Sequence, residues 1–254
     1  MCGRYASTKD PALLAAEFDA VDGTEGRAPG PDYNVAPTKS VLAVVERHPR
    51  DPEGTPDPDV VERSIRVMRW GLVPHWAKDL SAGAKMINAR AESVLEKPAY
   101  RDSAARRRCL IPADGWYEWQ PGEGRKQPYF ITPGDGSSLA MAGIWSVWWD
   151  RDADEGTRPV ITCAVLTTGA TGEMSSIHHR MPLVLPQDRW AAWLDPDRAD
   201  PAELLGPDQA LVDSLELRPV STAVNSIKNN SPELMKRVPL ADHEKPEPTL
   251  FELS

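Results

Sequence analysis

Apolar positions along this chain fall into short runs of strand-like alternation, separated by turn-rich segments and by a few stretches at helical spacing. Residues 8–20, TKDPALLAAEFDA, predict a helix: Thr8 can cap it, Pro11 suits the first turn, and Leu13, Leu14 and Phe18 share a face. DGTEGRAPGPD (22–32) is loop by composition, YNVAPT holds Asn34 and Pro37 in a turn, and SVLAVVE is a short β-rich run. HPRDPEGTPDPD (48–59), with four prolines, reads as an exposed hairpin loop or insertion. VERSIRVMRWGLV follows as a strand with Ile65, Val67 and Trp70 apolar. Residues 90–107 have helical character as far as Pro98. RRCLIPADGWYEW and PYFITP read as two strands around the turn PGEGRKQ, and LAMAGIWSVWW and PVITCAVLTT as two more around DRDADEGTR. QDRWAAWL and PAELLG predict short helices, and the tail from Pro239 a loose extension. Strands and helices mix without regular βαβ alternation, which predicts a single α+β domain over 1–238 and an extension over 239–254.

Composition changes the picture little. A chain of 254 residues, 41% hydrophobic and 26% charged, has the balance of a soluble globular protein. No run approaches the roughly 20 apolar residues of a membrane helix, and MCGRYASTKDPALL lacks the apolar core of a signal peptide. The expected location is therefore cytoplasmic. Three cysteines (Cys2, Cys109, Cys163) without a CxxC argue against a disulfide framework, and the histidines and cysteines show no metal-ligand spacing. There is no GxGxxG, Walker A or HExxH motif, and no cofactor is expected.

Charge is more informative. The net charge of −9 disfavours a nonspecific polyelectrolyte binder of nucleic acid. Residues 61–110, however, hold eleven Lys/Arg against five Asp/Glu. That excess either forms a local anion-binding groove or mixes with the acids of a solvated surface.

Cys2 carries the most distinctive chemistry. Removal of Met1 would leave a free amine and a thiol on adjacent carbons, with ordinary pKa values near ~7.7–8.0 and ~8.5, so both are partly nucleophilic at neutral pH. Such a 1,2-aminothiol condenses with an aldehyde through an imine and closes to a thiazolidine; retained Met1 blocks this. By position alone, a second-position cysteine more often reads as a small buried core residue. MINARAES places Asn88 and Arg90 on one face of a strand. GWYEW sets Glu118 between aromatics, exposed on a pleat or buried with a raised pKa. HHRMPLVL puts His178, His179 and Arg180 at a bend entering an apolar strand. Taken singly, each also has a structural role open to it: Asn88 on buried backbone, Glu118 paired with an arginine, the histidines solvated in a loop.

The segments MCGRYA, YNVAPT, WGLVPHWAK, INARAES, CLIPADGWYEW, PYFI, IHHRMPLVL and PVSTAVNSIKN, in this order and spacing, resemble the SRAP family (SOS-response-associated peptidase, or abasic-site processing protein). The resemblance spans nearly the whole chain and is most specific at MCGR and HxRMP. It implies a strand-rich, barrel-like core surrounded by helices, and covalent capture of abasic sites in single-stranded DNA. Cys2 would form the thiazolidine, Asn88 hydrogen-bond the amine or the adduct, Glu118 move protons, and His178 contact the sugar and assist ring opening or strand scission. Arg4, Arg90 and Arg180 would contact phosphates, Thr167 would bind a backbone phosphate (Thr168 being equally available), and Trp76 with Pro37 would form a wedge against the bases. His75 stands where some members carry a second aromatic. The expected partner is single-stranded DNA bearing abasic sites, with no membrane, and the chain is expected to act as a monomer.

Two other readings fit parts of the pattern. Cys2, His178 and Asn88 or Glu118 read as a thiol peptidase set, whose action in that reading can be confined to the chain's own Met1. The tryptophans would equally serve a noncatalytic single-strand binder.

Overall fold

The structure, a computed structural model, describes residues 2–240 apart from 123, 151, 153 and 155. Its strands in chain order are β1 (Tyr5–Ser7), β2 (Val21–Asp22), β3 (Asp32–Val35), β4 (Ser40–Arg47), β5 (Glu62–Trp70), β6 (Asn88–Arg90) and β7 (Arg108–Ala113). They continue as β8 (Gly115–Gln120), β9 (Gln127–Pro133), β10 (Leu139–Trp148), β11 (Val160–Gly169), β12 (Arg180–Pro182) and β13 (Leu215–Pro219). The α-helices are α1 (Pro11–Phe18), α2 (Arg101–Arg106), α3 (Trp190–Leu194) and α4 (Gln209–Asp213), with short 3-10 turns between.

One sheet runs β12-β11-β10-β7-β4-β5-β2 with β6 beside β11. Because β11 also pairs with β5 in parallel (Thr162 opposite Arg69, Cys163 opposite Trp70), the run β5-β4-β7-β10-β11 closes into a ring. Closure explains the near-continuous apolar stretches. In β4 the five residues Val41–Val45 are all buried, because one face packs inside the ring and the other under helices. Leu14 and Phe18 of α1 belong to that outer layer, with Phe18 stacked on Trp190 of α3 at 4.4 Å. The second sheet, β13-β9-β8-β1-β3, packs on the same core as the ring interior, where Tyr5 and Trp116 meet Trp70, Met141 and Cys163. The mixed α+β, barrel-like expectation is met.

Local differences have simple causes. The first helix starts at Pro11, and Asp10 caps it by accepting from the Leu13 amide at 2.9 Å, in place of Thr8. Leu14 and Phe18 form the helix's buried face, and Leu13, expected on that face, is exposed. RRCLIPADGWYEW is two strands that part at Asp114 and lie in different sheets. Gly115 allows this crossing, since a Cβ there would lie 2.4 Å from the Ile131 carbonyl oxygen. Residues 90–107 form a 3-10 turn (Ala91–Ser93) and then α2, on either side of Pro98. Of the expected extension 239–254, residues 241–254 lie outside the described residues.

The basic middle of the chain does not gather into one groove. Arg108 is buried and donates to the carbonyls of Ala104, Ala105, Trp193, Asp195 and Arg198 at 2.6–2.9 Å, tying β7 to α2 and α3. Arg63 is held by Glu46 and the Phe18 carbonyl, and Arg66 by Ser64, Glu62 and Gly23. No helix is long and apolar enough to cross a membrane, and no cluster of metal-ligating side chains occurs among the described residues.

Candidate active site

The N-terminal segment lies in the sheet as its own strand. Tyr5 pairs with Trp116 on one side and Val35 on the other, and the Tyr117 amide donates to the Arg4 carbonyl at 2.9 Å. A chain end is ordinarily loose unless tied down this way. Here the pairing draws Cys2 into the core, fully buried against the cluster that contains Tyr5, Trp70 and Trp116.

Asn88 and Glu118 meet this cysteine from two sheets. Asn88 lies on β6, opposite Val165 of β11, and its Nδ2 donates to the Cys2 carbonyl at 2.8 Å. Its Oδ1 is buried and makes no hydrogen bond among the described residues, so an acceptor remains beside the cysteine backbone. Glu118 lies on β8, 2% exposed. Burial raises its carboxyl from 4.5 to about 7. Burial chiefly, and the Glu118 charge after it, hold the Cys2 thiol far above its ordinary value. The site therefore joins a thiol that stays protonated to a carboxyl poised near neutrality.

His178 lies in the loop after the 3-10 turn Gly172–Ser176. Its Nδ1 is 3.0 Å from both the amide nitrogen and the carbonyl oxygen of Arg180. The Arg180 backbone can thus donate its N–H to Nδ1 when that nitrogen is unprotonated, or accept at its carbonyl when Nδ1 carries a proton. Burial, opposed by the Arg180 bond and assisted by the field of Lys126, leaves the imidazole pKa below its ordinary value. The same loop is joined to β8 by Gln120, whose Nε2 donates to the Ser176 carbonyl at 3.0 Å.

The three arginines with implied phosphate contacts differ sharply. The Arg180 guanidinium grips Glu92 with Nη1 and Nη2 at 2.6 and 3.0 Å, and Nη2 also reaches the carbonyl and hydroxyl oxygens of Thr167 at 2.5 and 3.2 Å. Thr167 is itself buried. Arg4 donates to Asn34 Oδ1 at 2.8 Å, to the Val224 carbonyl at 3.0 Å and to the Asn225 carbonyl at 3.4 Å. Asn34 completes the tie by donating to the carbonyls of Val224, Ser226 and Asn229. Arg90 is exposed, and its side chain makes no hydrogen bond or ion pair among the described residues. Trp76 is 55% exposed, on the loop that leaves β5 through Gly71. Pro37 lies in the β3–β4 turn, which is anchored by the Thr38 amide on the Trp70 carbonyl at 2.8 Å, so this turn and the Trp76 loop both border the end of β5.

Sequence reasoning passed over several residues around the site. Glu92 follows Arg90 in the same segment but meets Arg180, distant in sequence, only through the β6–β11–β12 pairing. Trp119, Gly124, Arg125, Lys126, Thr222 and Asn225 line an open groove of about 650 Å³ next to the Glu118 strand. The Trp119 Nε1 donates to Asn225 Oδ1 at 2.7 Å there.

A ring-like core with a second sheet that buries an N-terminal Cys2 between an asparagine and a glutamate is an arrangement with relatives. The model of the SOS response associated peptidase (SRAP) family matches residues 1–227, and the chain belongs to that family. It is 37% identical over 240 residues to the abasic site processing protein YoqW of Bacillus subtilis (strain 168), across 93% of this chain and 99% of that one. It is 32% identical to the abasic site processing protein HMCES of Gallus gallus, across 94% of this chain and 79% of that one. A crystal structure of a protein from Bacteroides thetaiotaomicron matches with a TM-score of 0.77 at 25% identity, across 93% of this chain and all of that one.

Proposed function

We propose that this chain processes abasic sites in single-stranded DNA by capturing them covalently on Cys2 after loss of Met1. The observation that carries the reading is the buried Cys2 flanked by Asn88 on its carbonyl and by a Glu118 carboxyl near neutrality. The names of the relatives at 32–37% identity point the same way.

The open form of an abasic sugar exposes an aldehyde. The Cys2 amine adds to it and water leaves, giving an imine. The thiol then adds to the imine carbon, its proton passing to the nitrogen, and the five-membered ring closes without oxidation or reduction. The amine leads because the thiol is held in its protonated form. Glu118 accepts the thiol proton and returns it to the nitrogen; a carboxyl near 7 is matched to both directions. Asn88 fixes the Cys2 carbonyl and offers Oδ1 to the nitrogen's hydrogen. His178, neutral at pH 7, takes or gives a proton at the sugar during opening and reversal.

The peptidase reading has less support. A thiol nucleophile needs a lowered pKa, and both burial and the Glu118 charge act in the opposite sense on Cys2. The test is a denaturing gel of purified protein with single-stranded DNA carrying one abasic site. A retarded band that requires both the lesion and Cys2, and is absent with Cys2→Ser and with intact DNA, supports capture. Unchanged retention of DNA by Cys2→Ser without any covalent band would support a simple binder.

A further inference from the structure

The DNA strand must continue past the captured sugar on both sides, so its phosphates need cations whose donors are uncommitted. Arg180 offers few. Both front donors of its guanidinium are on Glu92 and the side of Nη2 is on Thr167, which leaves no edge for a bidentate phosphate. Arg4 is tied to Asn34 and to two loop carbonyls. Arg90 is open, beside β11. On the other side of the site, at the tip of the β8–β9 hairpin, Arg125 and Lys126 are both exposed and make no hydrogen bond or ion pair among the described residues.

Those two cations line the groove of about 650 Å³ together with Trp119, Gly124, Thr222 and Asn225. The opposite wall is the 222–229 loop, which Asn34 and Arg4 hold from beneath. The indole of Trp119 is fixed in orientation by its bond to Asn225. The groove lies beside the His178 loop: Gln120 of β8 donates to the Ser176 carbonyl of that loop, and the Lys126 charge reaches the His178 imidazole.

We propose that this groove holds one flank of the captured strand, with phosphodiesters against Arg125 and Lys126 and a base against the Trp119 ring. The inference rests on the reading of this chain as a single-strand abasic-site protein. Paired cations with a preset aromatic face are the chemistry of single-strand binding. An acidic peptide would use the cations but has no need of the indole, nor of a place beside the loop that carries His178.

The test is the double variant R125A/K126A, whose exposed positions leave the fold intact, as equal melting temperatures will show. Initial rates of Cys2-dependent adduct formation are measured on three oligonucleotides: lesion central, at the 5′ end, and at the 3′ end. With the central lesion the variant slows by about tenfold, and its slope of log rate against log salt falls by roughly 1.4, two contacts at about 0.7 each. On whichever end-lesion oligonucleotide lacks the flank that uses the groove, wild type and variant become equal, while on the other they differ as before. Equal rates and salt slopes on all three substrates, with wild-type adduct plainly formed, overturn the groove assignment alone. Absence of wild-type adduct overturns the parent reading as well. Binding of undamaged single strands by fluorescence anisotropy gives a readout independent of the chemistry. There the variant weakens, and displacement by polyglutamate as effective as by oligothymidylate would contradict a nucleic-acid groove.

Discussion

Glu118→Gln separates what the Glu118 carboxyl costs the fold from what it contributes to the reaction. Burial moves this carboxyl from 4.5 to about 7. Between those values the folded chain holds a proton that the unfolded chain has released, so stability falls as pH rises through that window. The full penalty of ionising the buried group is about 3 kcal/mol, and about 2.5 kcal/mol of it develops between about pH 5 and pH 8. Glutamine has nearly the same shape and does not titrate. The variant is therefore close to wild type near pH 5 and more stable by about 2–3 kcal/mol near pH 8. Urea unfolding at several pH values, with equal m-values, measures this difference. Adduct formation moves oppositely: without the proton acceptor it slows by about 10²-fold or more and loses its pH dependence near neutrality. A stability difference that does not change between pH 5 and 8 would refute the raised carboxyl and, with it, the proton-transfer role built on it.

Other expected outcomes follow from the same contacts. Asn34→Ala removes the bonds to the Val224, Ser226 and Asn229 carbonyls and one of the three acceptors of Arg4, and lowers stability by about 2–4 kcal/mol in thermal or urea unfolding; a loss under ~0.5 kcal/mol would mean the 222–229 loop is held elsewhere. Asn88→Ala releases the Cys2 carbonyl and slows capture by about 10²-fold, with the rate measured at saturating DNA so that binding does not mask the effect. The His178 ring titrates by NMR below 6.5, since burial and Lys126 both disfavour its charged form, and Lys126→Ala raises the midpoint. Because that folded value is depressed, the neutral ring's contribution to stability is present above 6.5 and is lost as pH falls through the interval below it.

What could be read in the sequence was chiefly local. Asn88 and Arg90 are two apart on a strand, and β6 has that form; Glu118 between aromatics was open to burial, and it is buried. The α+β class followed from short mixed elements. What escaped the sequence depends on distant partners. The split of RRCLIPADGWYEW at Asp114 is invisible to alternation, because both halves are apolar and only the sheets they join differ. The Arg180–Glu92 grip and the Arg4–Asn34 tie bring together residues far apart in sequence, so an arginine in a motif could not be told from an arginine already spoken for. Arg108 shows the same limit: it counts toward a cationic excess in the sequence and is a buried knot of carbonyls in the fold. Conversely, PGEGRKQ read only as a turn, and its two cations acquire meaning from the groove they border.

Intact-mass spectrometry of the adduct with single-stranded abasic DNA tests the central claim most directly. The account predicts one product whose mass is the chain without Met1 plus the oligonucleotide less one water. The link maps to Cys2 and resists borohydride, as a closed thiazolidine does. No adduct, an adduct that retains Met1, or one that maps to a lysine would contradict it.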